Sequence, residues 1–229
     1  MRSRFLSFLS SNLVRNWLLG FSLIVTALVA LPASAKLINS STHTQATQTI
    51  VVFGDSLSAG YGIGQNQSWV SLLQTRITQQ KLAYQVVNAS ISGETTSGGL
   101  ARFSEMLATH KPNIVILELG ANDGLRGLPV SDMRSNLNKM ILQAKAAKTK
   151  LLLIGMKIPP NYGQKYSRDF SASYAILAKQ HKIKLVPFLL DGVAGKPSLI
   201  QDDGLHPLAA AQPELLENVW FKLKQLLNE

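Results

Sequence analysis

The chain has 229 residues, of which 46% are hydrophobic and 16% are charged, and its formal net charge at pH 7 is +10. This balance is typical of a globular protein and excludes a disordered chain of low hydrophobicity. The sequence has no cysteine, which excludes disulfides, thiolate metal sites, a cysteine nucleophile and a lipidated N-terminal cysteine.

The first 35 residues predict a secretory signal rather than a part of the fold. The basic residues of this segment are Arg2, Arg4 and Arg15, and they precede an apolar run over residues 17–31. Ala33-Ser34-Ala35 follows that run and has the form of a cleavage site. We therefore expect cleavage after this tripeptide and a periplasmic or secreted protein. An uncleaved membrane anchor is the alternative, although the apolar run is short for a transmembrane helix.

Removal of residues 1–35 would take away three basic residues and no acidic ones, so the net charge would fall from +10 to +7. A surplus of this size favours contact with an anionic membrane surface or polysaccharide. Nucleic-acid binding is not expected, because the chain has no dense basic run with interleaved aromatic residues. Residues 36–48 are polar and predict a flexible lead-in. Residues 49–229 predict a single domain, which we expect to be monomeric.

Beyond the lead-in, short apolar runs alternate with segments whose apolar residues recur at helical spacing. The run Ile114–Leu119 is almost continuously apolar, as expected of a central parallel strand covered on both faces. This alternation implies right-handed crossovers and a three-layer α/β/α sandwich with a mainly parallel five-stranded sheet. The predicted strands are 49–53, 84–88, 114–119, 151–155 and 184–187; the predicted helices are 68–80, one ending near 110, 131–147, 167–181 and one within 208–227.

Small and polar residues follow the predicted strands. In a parallel sheet the carboxyl ends of the strands meet along one edge, where ligands usually bind. We therefore expect these loops to surround a single cleft. The segments are Gly54-Asp55-Ser56 after the first strand, Ser92-Gly93 after the second, Gly120-Ala121-Asn122-Asp123 after the third, and Asp202-Asp203-Gly204-Leu205-His206-Pro207 after the fifth.

The residue types in these loops suit acyl transfer at Ser56. A serine hydroxyl is a poor nucleophile near neutral pH and needs an adjacent base, which is usually a histidine. A carboxylate best holds that histidine in one tautomer and stabilises the imidazolium that forms. His206 and Asp203 are three residues apart with a glycine between them, so they can meet both needs. Asp202 is the competing carboxylate, although the spacing favours Asp203.

The same loops contain donors for an oxyanion. The tetrahedral intermediate of acyl transfer carries a negative oxygen, which needs fixed N–H groups in a site shielded from water. The backbone N–H groups of Ser56 and Gly93 and the side-chain amide of Asn122 can supply three. Gly93 could instead be a turn glycine, and Asn122 could cap a turn. Asp55 and Asp123 are interpreted as structural carboxylates that hold their loops.

The four blocks, in this order, resemble those of the SGNH (GDSL) hydrolase family. Residues 54–58 match its nucleophile block, Gly93 the second block, residues 120–123 the third and residues 203–207 the last. The resemblance spans roughly the whole chain after the signal and implies a flavodoxin-like SGNH hydrolase fold. It implies the following roles: Ser56 as nucleophile, His206 as base, Asp203 as its orienting acid, and Gly93 and Asn122 in the oxyanion hole.

Three further segments are similar to the periplasmic bacterial subgroup with thioesterase, arylesterase and lysophospholipase activity: Tyr61-Gly62, Asn161-Tyr162-Gly163 and Ala211-Gln212-Pro213. This resemblance implies hydrolysis of aryl esters, lysophospholipids and, in vitro, acyl-CoA, with the loop 156–165 lining an acyl-chain groove. We therefore expect a small acyl ester, thioester or lipid substrate and neither a cofactor nor a metal. A carbohydrate O-deacetylase with the same triad and an inactive envelope-binding protein of this fold are the alternatives.

Overall fold

The computed structural model describes residues 47–228, so the predicted signal, 1–35, and most of the lead-in lie outside the described residues. In this described part of the chain, no helix is long and apolar enough to cross a membrane. The predicted lead-in, 36–48, overlaps the first strand by one residue. Gln48 belongs to the strand because its backbone N–H donates to the carbonyl of Ala83 at 2.8 Å.

A parallel sheet forms the middle layer of the domain. The strand order is β2-β1-β3-β4-β5, and every neighbouring pair is parallel. All residues of the central strand β3 are buried, as its apolar run predicts. Over residues 47–228 the strands are β1 (Gln48–Gly54), β2 (Tyr84–Asn88), β3 (Ile114–Glu118), β4 (Lys150–Ile154) and β5 (Lys184–Val186).

Helices cover both faces of the sheet. The helices of the described chain are α1 (Ser56–Ala59), α2 (Trp69–Gln79), α3 (Thr96–His110), α4 (Ala121–Leu125), α5 (Val130–Ala146), α6 (Gln164–His181) and α7 (Gln212–Leu227). Helices α2 and α7 pack against each other on one face, whereas α3, α5 and α6 pack side by side on the other. The predicted three-layer α/β/α sandwich is therefore confirmed.

The hydrophobic core fixes the ends of the central strands. Phe53, near the end of β1, is fully buried and meets Phe103 of α3 edge to face, with ring centroids 5.1 Å apart. Leu119 follows β3, and its carbonyl accepts a hydrogen bond from the buried Tyr174 hydroxyl at 3.0 Å. Each buried side chain of this size contributes about 1.5–3 kcal/mol relative to its exposed state. The polar loops after β1 and β3 thus begin from well-anchored backbone.

Some segments expected to be loops are helical. Helix α3 begins at Thr96, because the Thr95 hydroxyl accepts the N–H of Gly98 at 3.3 Å and so caps the helix. Helix α4 occupies most of the segment 120–123, which was expected to be a loop. Helix α6 begins at Gln164 rather than at residue 167, so the end of the predicted loop 156–165 belongs to that helix.

Candidate active site

Ser56 is the first residue of α1 and directly follows the loop that ends β1. Asp55 caps this helix, because its Oδ1 accepts the N–H of Leu57 at 3.1 Å. The interpretation of Asp55 as a structural carboxylate is therefore confirmed. Helix geometry leaves the first amides of α1 without an intrahelical carbonyl, so the N–H of Ser56 can serve an external acceptor.

His206 comes to Ser56 from the far end of the sequence. Ile200 and Pro207 form an antiparallel bridge, and the tight turn between them carries Asp203 and His206. The Nε2 atom of His206 lies 2.8 Å from the Ser56 Oγ, although the two residues are 150 positions apart. The structure therefore brings the predicted nucleophile and base within hydrogen-bond distance.

Asp203 is the carboxylate that contacts the imidazole. Its Oδ2 lies 2.6 Å from His206 Nδ1, and its Oδ1 accepts the N–H groups of Leu205 and His206 at 2.9 Å each. The His206 backbone N–H, together with the Leu205 N–H and the imidazole, lowers the pKa of Asp203 to about 2. A carboxylate that is ionised at neutral pH accepts from Nδ1–H, which leaves Nε2 free to accept the Ser56 hydroxyl proton.

The expected oxyanion donors lie around the same pocket as Ser56 and His206. Gly93 has a φ of 78°, a left-handed conformation that suits glycine, and its carbonyl accepts from Arg126 Nη2 at 3.0 Å. The Nδ2 of Asn122 donates to the Glu94 carbonyl at 2.9 Å and to Asp55 Oδ2 at 3.2 Å. Both neighbours of this nitrogen are acceptors, which fixes the orientation of the amide.

Asp123 holds two helices together, as its interpretation as a structural carboxylate predicts. Its Oδ2 accepts the N–H of Thr96 at 2.8 Å, and its Oδ1 accepts the Thr96 hydroxyl at 2.6 Å. These bonds tie α4 to the start of α3. Asn122, the neighbour of Asp123 in α4, is thereby held beside the loop that contains Gly93.

An apolar pocket of about 210 Å³ opens beside the Ser56 hydroxyl. One wall is the first part of the segment 156–165, whose role in substrate binding the resemblance implies. The other walls come from the segments after β1, β2, β3 and β5. The apolar residues of the lining are Leu57, Ala121, Leu125, Met156, Ile158, Pro159, Leu190 and Leu205, and Tyr61 lies among them.

Three contacts of this site were not expected from the sequence. The ring of Tyr61 lies against the imidazole of His206, with centroids 4.5 Å apart. Gln201 joins the segments of these two residues, because its Nε2 donates to the Tyr61 carbonyl at 2.9 Å and its N–H donates to the His206 carbonyl at 2.7 Å. Glu118 is buried beneath the nucleophile loop. An acidic residue within an apolar run is the one signal that could have revealed it.

The other described histidines lie away from this pocket. His110 ends α3, and His181, at the end of α6, hydrogen-bonds through Nε2 to Asn138 Oδ1 at 2.7 Å. Burial lowers the pKa of His181. Within residues 47–228, no group of three or more His, Asp and Glu side chains is arranged to hold a metal ion.

Comparison with known proteins agrees with this arrangement of fold and site. The sequence model of the GDSL-like lipase/acylhydrolase family matches residues 52–212. Esterase TesA of Pseudomonas aeruginosa is 51% identical over 81% of this chain and 92% of its own length. The thioesterase 1/protease 1/lysophospholipase L1 of Escherichia coli K12 is 42% identical over 80% of this chain and 86% of its own length.

A solved structure of the same kind is that of a psychrotrophic esterase, EstA, from Pseudoalteromonas sp., inhibited by monoethylphosphonate. It has a TM-score of 0.76 and 41% sequence identity, over 80% of this chain and all of that one. A parallel α/β sheet with a serine–histidine pair at its carboxyl edge is the arrangement that the resemblance to SGNH hydrolases predicts. The chain belongs to the GDSL-like lipase/acylhydrolase family. The expectation of a carboxylic ester hydrolase of the SGNH type is therefore confirmed.

Proposed function

We propose that the chain is an exported serine esterase that hydrolyses acyl esters and thioesters through a Ser56–His206–Asp203 triad and an acyl-enzyme. One observation carries this proposal. A single line of hydrogen bonds runs from Ser56 Oγ to His206 Nε2, at 2.8 Å, and from His206 Nδ1 to Asp203 Oδ2, at 2.6 Å. The phosphonate inhibition of the related esterase supports it, because phosphonates commonly react with an activated serine.

The mechanism follows from the protons that these atoms carry. His206 Nε2 takes the proton of the Ser56 hydroxyl while the serine oxygen attacks the acyl carbonyl. The tetrahedral intermediate collapses as the alcohol or thiol leaves with the proton from Nε2. Water then attacks the acyl-enzyme, again giving its proton to Nε2. As the carboxylic acid is released, this proton passes to the Ser56 oxygen and restores the hydroxyl. Asp203 remains ionised and orients the imidazole throughout.

The oxyanion of each intermediate would be held by the N–H groups of Ser56 and Gly93 and by Nδ2 of Asn122. The Asn122 amide already donates to Glu94 and, over a longer distance, to Asp55. We infer that the oxyanion shares the N–H that points to Asp55, because this is the longer of the two bonds. Fixed donors of this kind act without reorganisation at the moment of reaction.

The substrate we propose is an ester or thioester with an apolar acyl chain. The lining of the pocket is mainly apolar, and the names of the relatives include esterase, thioesterase and lysophospholipase. A lysophospholipid combines such a chain with a leaving alcohol that can remain in solvent. Acyl-CoA is proposed as a substrate in vitro, and a carbohydrate O-deacetylase is less well supported because an acetyl group needs little apolar surface.

The experiment that tests this proposal is hydrolysis of p-nitrophenyl esters of two to sixteen carbons by the wild type and by Ser56→Ala. We expect Ser56→Ala to lose about 10⁵-fold or more in kcat, as removal of a triad serine does elsewhere. An optimum above the acetyl ester supports the acyl-chain proposal, whereas activity confined to acetyl esters supports the deacetylase. Equal inactivity of both forms, with no labelling by a fluorophosphonate, would favour the envelope-binding alternative.

Export, solution state and membrane contact are separate parts of the proposal. N-terminal sequencing of the protein from a periplasmic fraction should begin at Lys36 if the signal is cleaved as proposed. Size-exclusion chromatography of the cleaved protein should give a monomer. Sedimentation with anionic vesicles, but not with zwitterionic ones, should reveal the expected contact with a membrane surface, because the basic surplus acts electrostatically.

A further inference from the structure

Glu118 is a buried carboxyl group that the proposed mechanism does not use. It ends β3, the central strand, and its side chain has no exposed surface. Its Oε2 accepts the Ser58 hydroxyl at 2.7 Å and the backbone N–H of Asp55 at 3.2 Å. Its Oε1 has no hydrogen-bond partner among the described residues. A buried carboxyl group with one unpaired oxygen lowers the stability of the fold, so its presence requires an explanation.

The surroundings of Glu118 favour the neutral form of this carboxyl group. Burial raises its pKa well above the ordinary value for a glutamate, and the nearby charge of Asp55 raises it further. Burial likewise raises the pKa of Asp55 to about 7. Two carboxyl groups this close disfavour double ionisation. A neutral Glu118 can still accept two hydrogen bonds at Oε2, because a carbonyl oxygen has two lone pairs.

The two hydrogen bonds of Glu118 lie on either side of the nucleophile. Asp55 directly precedes Ser56 in the chain, and Ser58 follows it by two residues. The backbone of Asp55 is therefore tied to β3 before the nucleophile, and the side chain of Ser58 is tied to the same oxygen after it. Asp55 in turn accepts from Asn122 through Oδ2. One buried oxygen thus connects the turn that carries Ser56 to the strand that leads to Asn122.

The position of Gly54 shows how closely this carboxyl fits under the turn. Gly54 and Glu118 are direct neighbours in the pairing of β1 with β3. A Cβ atom at position 54 would collide with Oε2 of Glu118 and with the Ser58 hydroxyl. The first residue of the Gly-Asp-Ser-Leu motif therefore lacks a side chain because Glu118 fills that space.

We propose that Glu118 is a positioning residue for Ser56, and that its Oε2, by binding the Asp55 N–H and the Ser58 hydroxyl together, holds the Ser56 hydroxyl against His206. This inference rests on the proposed role of Ser56 as nucleophile. It assigns Ser58 a part as the second anchor of the same turn. Neither residue touches the pocket, so both act through the position of Ser56 and leave substrate binding unchanged.

The test compares Glu118→Leu, Glu118→Gln, Ser58→Ala and the double variant Ser58→Ala/Glu118→Leu. Initial rates with a short p-nitrophenyl ester give kcat and KM separately, and the rate of fluorophosphonate labelling reports the nucleophile alone. Thr149→Val serves as the matched control. It removes another buried hydrogen bond, from the Thr149 hydroxyl to the Pro112 carbonyl, at the opposite edge of the sheet.

We expect Glu118→Leu and Ser58→Ala to lower kcat and the labelling rate by about 10-fold to 100-fold, since small displacements of a reacting group cost this much. KM should change by less than about threefold, because lost orientation acts on kcat. Glu118→Gln should recover most of the activity, since its amide oxygen can accept both bonds. The double variant should be no slower than the slower single variant, because both disrupt one network.

Wild-type kcat in Glu118→Leu, with no more change than in Thr149→Val, would overturn the inference. Equal losses in Glu118→Gln and Glu118→Leu would also overturn it, because the acceptor oxygen would then be irrelevant. If Glu118→Leu fails to fold, Ser58→Ala provides the test. A kcat of Ser58→Ala that changes no more than that of Thr149→Val would then overturn the inference. Full activity of Ser56→Ala in the same assay would instead refute the proposed function, so the two failures are distinguishable.

Discussion

Residues with positive φ occur at both edges of the sheet, but their types differ between the two edges. At the amino edge, the turns that lead from α2, α3, α5 and α6 into the next strands each contain a lysine with positive φ. At the carboxyl edge, the positive-φ positions of the described chain are all glycines. The lysines are Lys81, Lys111, Lys148 and Lys182; the glycines are Gly60, Gly62, Gly93, Gly120, Gly127, Gly163, Gly192, Gly195 and Gly204.

The difference reflects what each edge has to contact. The lysines are exposed, and the turns close their helices with bonds such as Leu82 N–H to the Ile77 carbonyl, at 3.1 Å. A cation there also interacts favourably with the helix C-terminus. At the carboxyl edge, Gly93 borders the pocket and Gly120 lies against Tyr174, where a Cβ would collide. The lysines at the amino edge are thus exposed, whereas at the carboxyl edge Gly93 borders the pocket and Gly120 has no room for a side chain.

After the loss of Ser56 itself, the largest effect on kcat is expected from one of two neighbouring carboxylates at the carboxyl edge. Asp203→Asn should lower kcat by about 10⁴-fold, because the amide no longer holds His206 in the tautomer that accepts the serine proton. Asp202→Asn should leave kcat within about twofold of the wild type, as exposed substitutions usually have small effects. Steady-state kinetics of both variants measures the contrast. The reverse ranking would assign the orienting role to Asp202.

A smaller effect is expected at Asn122. Asn122→Ala should lower kcat by about 10²-fold to 10³-fold, because one of the proposed oxyanion donors is lost. Asn138→Ala is the control, since it also removes a side-chain amide from a hydrogen bond, with His181, but at the amino edge. Kinetics with one short ester suffices. A loss of equal size in both variants would point to general destabilisation.

The pH dependence of stability should also distinguish the carboxyl groups. The folded-state pKa of Glu118 lies above its unfolded value, so the wild type loses stability as pH rises above about 4.5. Glu118→Gln removes this destabilisation. The free energy of unfolding in urea should therefore rise in the variant relative to the wild type from pH 5 to pH 8. The pKa of Asp203 is shifted the other way, so its contribution is present above about 4 and lost toward pH 2. A constant difference across pH would contradict the burial of an ionisable Glu118.

The smallest effect is expected at the amino edge. Lys148→Gly should raise the free energy of unfolding by about 0.5 kcal/mol, because relief of the left-handed strain slightly exceeds the entropy cost of glycine. Lys139→Gly, in the exposed middle of α5, should instead lower it by about 1 kcal/mol. Chemical denaturation measures both, and kcat should not change in either. A loss of stability in Lys148→Gly would mean that the lysine side chain itself stabilises the turn.

Much of the fold could be predicted because its signals are local. The apolar run of β3 and the helical spacing of α2, which begins at Trp69, follow directly from burial. For α3 the sequence located the end, near residue 110, but not the first residue, because Gly98 and Gly99 weaken the helical pattern there; the Thr95 cap and tertiary packing outweigh their low helix propensity. The short helix α4 was missed for the same reason, because glycines stand on both sides of Asn122.

The site was predictable to the level of residues but not of contacts. Spacing and resemblance favoured Asp203 over Asp202 as the partner of His206, and the contact of Asp203 Oδ2 with His206 Nδ1 is visible only in the structure. The contact of Tyr61 with His206 joins distant parts of the chain, so no local pattern reveals it. Glu118 appeared only as a polar residue at the end of an apolar strand, and its partners became visible only once β1 and β3 were paired.

The distance in sequence between Ser56 and His206 has a consequence for the synthesis of the protein. The nucleophile turn follows the first strand, whereas the base arrives 150 positions later, after the last strand. On the proposed mechanism, a nascent chain that has not yet emerged beyond residue 206 carries a serine without its proton acceptor. Ester hydrolysis would therefore begin only when nearly the whole polypeptide is in place, which makes the activity a direct reporter of completed translation and folding.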